Sequence, residues 1–104
     1  MEVRELSKKI REINRNNGWT EITPASWENG YEISTKFWQI NQELSEAFQE
    51  WEKGDPEKFT IELADAVIRL FDLGECLDLP LPDAIDQKLE VNAGRGYRHN
   101  GKKI

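Results

Sequence analysis

Two acidic pairs share one spacing in this chain, Glu43-x-x-Glu46 and Glu62-x-x-Asp65. Residues three apart lie on one face of a helix, so two such pairs on adjoining helices place four carboxylates around one point. Like charges held that close repel, and a cation has to sit among them. An all-oxygen donor set suits a hard divalent ion, above all Mg²⁺, with Mn²⁺ as a substitute. A single E-x-x-E is usually an ordinary solvated face. The second pair, on the next predicted helix, is what gives the first its meaning.

The elements that position these groups follow from apolar spacing. Val3, Leu6, Ile10 and Ile13 make a narrow stripe, and a first helix is predicted from about Glu2 to Arg15, stopped by Asn16-Asn17-Gly18. Residues 18 to 32 are expected to be a loop by their Gly, Pro, Ser and Asn content, yet they hold Trp19, Trp27 and Tyr31. Such rings usually fold back as lids on a small core, and the sharper alternative is that Trp19 or Trp27 stacks on a planar ligand such as a nucleobase. A second helix is predicted from an N-cap at Ser34 to about Lys53, with Phe37, Ile40, Leu44, Phe48 and Trp51 as its core stripe. At about 100° per residue Glu43 falls beside that stripe, half sheltered, and Glu46 lies further round.

Gly54-Asp55-Pro56 is a strong boundary: Gly closes the second helix, Asp55 caps the third, and Pro56 fits its first turn. The third helix is expected to reach about Leu77. Its apolar residues cover more than half the circumference, and the remaining strip is ionic, with Glu62, Asp65, Arg69 and Asp72 at i, i+3, i+7 and i+10. An arc so wide needs cover on two sides, so a partner subunit is expected over Val67, Leu70 and Phe71. After Asp78-Leu79-Pro80-Leu81, Pro82 can open a fourth helix that turns Ile85 and Leu89 inward and ends near Gly94. Lys88, Asn92 and Arg95 then share one of its faces.

At 104 residues the chain is expected to be a single all-α domain with a basic C-terminal tail over 95–104. One cysteine, Cys76, forms no internal disulfide, and no run approaches membrane-spanning length, so a reducing cytoplasm is the expected home. Net charge is −6, but the stretch from Lys88 onward carries +4 and the body −10. Neither nucleic acid nor a membrane is an expected partner. The basic end is either a solvated tail or the counterpart of an anionic ligand held by a metal in the body.

Taken together, Glu43-Leu-Ser-Glu46-Ala, Glu62-Leu-Ala-Asp65-Ala-Val-Ile-Arg-Leu-Phe-Asp72 and Lys88-Leu-Glu-Val-Asn92-Ala-Gly-Arg95-Gly-Tyr97-Arg98-His99 resemble the MazG-like nucleoside triphosphate pyrophosphohydrolases. The resemblance implies an all-α, four-helix subunit that assembles into a helical-bundle dimer or dimer of dimers. It also implies Mg²⁺-dependent hydrolysis of a nucleoside triphosphate to the monophosphate and pyrophosphate, with housecleaning of a nucleotide pool as the role. Glu43, Glu46, Glu62 and Asp65 would be the metal ligands, and Lys88, Asn92 and Arg95 would face the phosphates or sugar. The tail has Arg95-Gly96-Tyr97 and His99-Asn100-Gly101 where relatives have Arg-Pro-Tyr and His-Gly-Gly.

A triphosphate brings about four negative charges to an acidic site, so a divalent ion has to bridge carboxylates and phosphate oxygens. The ion also acidifies a water, whose proton an uncoordinated carboxylate can take; Glu46, with Glu43 beside it, is the candidate. Arg95 and Arg98 offer forked donors to the phosphates. The sequence holds no P-loop. A di-iron bundle needs Glu-x-x-His pairs, and the lone histidine is His99 in the tail. The competing class is a non-enzymatic acidic helical interaction module, which explains the broad apolar face but not the two matched acidic pairs.

Overall fold

The computed structural model describes residues 2–19 and 22–94, and every regular element among them is helical. Helix α1 spans Val3–Asn16 and closes through Gly18, whose φ of 79° is left-handed. Glycine enters that region without a Cβ clash, and the Trp19 amide then returns to the Asn14 carbonyl at 2.9 Å. A short 3₁₀ turn over Pro24–Glu28 follows. Helix α2 spans Gly30–Glu52, α3 spans Pro56–Cys76 and α4 spans Leu81–Gly94.

Helix α2 begins earlier than its sequence predicts, with Asn29 rather than Ser34 as the N-cap. Asn29 Oδ1 accepts the Glu32 amide at 3.2 Å while Asn29 Nδ2 donates to Glu32 Oε1 at 3.1 Å, a reciprocal cap that outcompetes the serine. Tyr31 therefore lies in the first helical turn, and the Ser34 and Thr35 hydroxyls donate to its carbonyl from inside the helix. Helix α3 starts as its sequence dictates: Gly54 takes a φ of 72°, and Asp55 Oδ1 accepts the Lys58 amide at 3.0 Å. It ends with the Leu79 amide bonded to the Gly74 carbonyl. Gly74 also lets α4 come close, because a Cβ there would lie 3.2 Å from Leu81 Cβ.

The short connection at Lys53–Asp55 folds α2 back along α3, and α1 and α4 pack elsewhere on α3 and on each other. A small core gathers Ile22, Cys76 and Leu77 with Ile33 and Leu73. Helix α1 forms where its spacing predicts, but it turns a mixed face inward. Of its apolar stripe only Ile10 is buried, whereas Leu6 and Ile13 are exposed; the face turned inward is Ser7, Ile10, Arg11 and Asn14. The reason is the ionic strip of α3. Arg11 Nη1 donates to Asp72 Oδ1 at 2.5 Å, Asn14 Nδ2 to the same oxygen at 3.2 Å, and Ser7 Oγ to Glu75 Oε2 at 2.7 Å. Buried polar groups have to be paired, and polar face meets polar face. Cys76 Sγ donates to Asp72 Oδ2 at 3.7 Å, and burial pushes its thiol pKa up.

The predicted core stripe of α2 is mostly outside. Ile40 is 6% exposed, but Phe37 and Leu44 are open and Phe48 and Trp51, stacked with centroids 5.5 Å apart, are 56% and 62% exposed. Helix α2 packs chiefly on α3 and the 3₁₀ turn, and among the described residues this flank is left largely uncovered. Ile61, Val67 and Leu70 of α3 are exposed as well, while Phe71 is already buried within the subunit and so is not free for a partner. On α4, Ile85 is half-buried, whereas Leu89 is exposed, against the inward placement expected for it. Each large apolar side chain left in water forgoes about 1.5–3 kcal/mol of burial.

Candidate metal centre

The two acidic pairs lie on the α2–α3 hairpin, and each is followed by a buried alanine, Ala47 and Ala66. Small side chains at a helix contact shorten the distance between axes, so the backbones run close beside the carboxylates. One oxygen each from Glu43, Glu62 and Asp65 lies within 4.8 Å of the others, all three residues being half-buried. Glu46, the fourth carboxylate, is also half-buried and stands against Glu62. The sequence spacing thus brings three of its four candidate ligands into one group and leaves Glu46 beside them.

Glu62 feels the crowding most. Its carboxyl is pushed from 4.5 up to about 7, first by its shielding from water, then by hydrogen bonds to Glu43 and Glu46 and by their charge. Carboxylates bond to one another only through a shared proton. When ionised, the buried Glu62 Oε2 has no hydrogen-bond donor. A buried acceptor without a donor, in an all-oxygen cluster, fits a hard divalent cation. Glu43, Glu62 and Asp65 are the residues that can hold one.

Arg69 completes the surroundings, and the sequence, although it places this residue in the α3 strip, gives it no role. Its Nε donates to Glu43 Oε1 at 3.1 Å, its Nη1 to Gln39 Oε1 at 3.5 Å, and its Cζ lies 4.9 Å from the Trp19 ring centroid. The available signal was a lone arginine among the acids of one helical strip, with Gln39 one turn before Glu43.

The other predicted contacts are placed apart. Trp19 lies against the Arg69 guanidinium, and Trp27 is exposed at the edge of an apolar groove shared with Ile33 and Phe37. Tyr31 is exposed too. Lys88 and Asn92 are exposed on α4, and among the described residues no hydrogen bond or ion pair joins them to the carboxylates. Arg95 and Arg98, with the rest of the tail, lie outside the described residues. No helix among those residues is long and apolar enough to cross a membrane. No family model matches this sequence, and neither the curated proteins nor the solved structures compared with it give a match.

Proposed function

We propose that the protein is a Mg²⁺-dependent nucleoside triphosphate pyrophosphohydrolase of the MazG-like kind, converting a nucleoside triphosphate and water to the monophosphate and pyrophosphate. The observation that carries this reading is the group of three carboxylates within 4.8 Å on two paired helices, with a donor-less buried oxygen on Glu62. The motif order around it supplies the substrate class. Glu43, Glu62 and Asp65 would hold the ion, which when bound supplies charge neutralisation at phosphate oxygens and acidifies a water. Glu46 lies outside the three-carboxylate group yet against Glu62, and so is the carboxylate left to accept the water's proton. Lys88 and Asn92 of α4, with Arg95 and Arg98 of the tail, are assigned to the phosphates, where cationic donors stabilise charge on the leaving pyrophosphate.

A second copy of the chain belongs to this proposal. The exposed flank of α2 and α3, with Phe48, Trp51, Val67 and Leu70, is the surface a helical-bundle dimer or dimer of dimers would bury. The same flank favours a second reading, an acidic interaction module without catalysis. A bound ion separates the two: Mg²⁺ or Mn²⁺ should raise the melting temperature of the enzyme and leave that of a plain interaction module unchanged.

The direct test is a panel of canonical and modified triphosphates with Mg²⁺, monitored for pyrophosphate. Equimolar monophosphate and pyrophosphate are expected from at least one of them, with the activity lost in Glu46→Gln. Near-wild-type turnover by that variant would remove Glu46 from the chemistry.

A further inference from the structure

Arg69 is the cation of the α3 strip and is held from three directions, by the Glu43 carboxylate, the Gln39 amide oxygen and the Trp19 ring. The Glu43 and Arg69 side chains are only 14% and 26% exposed, so the pair is partly shielded from water. A guanidinium laid on an indole face is restricted in the rotamers it can sample, and a forked donor restricted in that way fixes the carboxylate it touches. Trp19 is itself pinned. Its amide is bonded to the Asn14 carbonyl at the end of α1, and Asn14 and Arg11 are tied to Asp72, one turn along α3 from Arg69.

We propose that Trp19 and Arg69 are positioning residues for the metal centre: the ring holds the guanidinium, and the guanidinium holds Glu43 in the orientation that meets Glu62 and Asp65. This rests on the metal-centre reading and deepens it. It also gives Trp19 a role other than nucleobase stacking, with one face of the ring taken by a cation. Electrostatics alone would argue the other way, because a cation beside the site repels a divalent ion. Trp19 separates the two effects, since replacing it changes no charge.

The experiment is Mn²⁺ titration by calorimetry of the full-length protein without nucleotide, for wild type, Trp19→Leu and Trp19→Phe. A cation–π contact of this kind corresponds to about a fivefold change in affinity. The leucine variant is expected to bind Mn²⁺ about fivefold more weakly and the phenylalanine variant, which keeps an aromatic face, to recover most of the loss. Arg69→Lys provides an independent arm if the tryptophan variants unfold. It retains the charge but lacks the planar fork, and the same weakening is expected. Wild-type Mn²⁺ affinity in Trp19→Leu or in Arg69→Lys would overturn the proposal, as would an unchanged affinity accompanied by a raised nucleotide KM, the mark of a stacking platform. A wild-type protein that takes up no Mn²⁺ would instead overturn the metal centre itself, and this inference with it.

Discussion

Crowded carboxylates make the site a proton acceptor before it is a metal acceptor, and pH should expose the exchange. The Glu62 carboxyl titrates at about 7 in the fold against 4.5 ordinarily. A raised pKa means that the folded state favours the protonated group. Its stabilising contribution is therefore full below pH 4.5 and is lost as pH rises through about 7. Metal binding has the opposite slope, because a ligand must give up its proton. For a group titrating at about 7, the ionised fraction rises about tenfold between pH 6 and pH 8, so apparent Mn²⁺ affinity should rise about tenfold. Calorimetry at pH 6, 7 and 8, in buffers of differing ionisation enthalpy, would give both the affinity and the proton released. Glu62→Gln should bind weakly with no slope over that range, and its metal-free melting temperature at pH 8 should exceed that of the wild type. A wild-type affinity flat from pH 6 to 8, or the same slope retained by Glu62→Gln, would refute this reasoning.

The buried Arg11–Asp72 pair supports a stability prediction: Asp72→Asn breaks this buried ion pair, at a cost of about 3–5 kcal/mol, visible as a lower urea midpoint. For assembly, light scattering should give a dimer or tetramer at micromolar concentration, and Phe48→Glu should shift it toward monomer; a stable wild-type monomer would contradict the interface. Truncation after Gly94 should leave Mn²⁺ affinity nearly unchanged and lower kcat/KM sharply, since charge-assisted contacts are worth roughly 1.5–3 kcal/mol each. Equal kcat/KM would make the tail a bystander.

The site was more legible than the packing around it. Glu43, Glu62 and Asp65 meet because helical periodicity is local and Asp55-Pro56 fixes where α3 begins. Which face of α1 turns inward is not legible, for the complementary reason. The acidic partners that draw Ser7, Arg11 and Asn14 inward lie 58 to 68 residues away, and no local period reports a polar face matched to another polar face. The start of α2 was missed because Asn29-Gly30 reads as a turn, while its cap depends on Glu32 bonding back. Arg69 and Trp19 could be named but not paired: a cation–π contact between a loop and a helix leaves no spacing to count. The α2 stripe was recognised as apolar, but sequence spacing cannot say whether the covering surface belongs to the same subunit.

The central claim is that this acidic hairpin hydrolyses a nucleoside triphosphate between its α and β phosphates with the help of a divalent ion. The most direct measurement is ³¹P NMR of a triphosphate panel incubated with the full-length protein and Mg²⁺, run beside a chelator control and Asp65→Asn. The account predicts monophosphate and pyrophosphate in equal amounts from at least one substrate, and neither product in the two controls. Intact triphosphate throughout, or release of inorganic phosphate with the diphosphate, would contradict it.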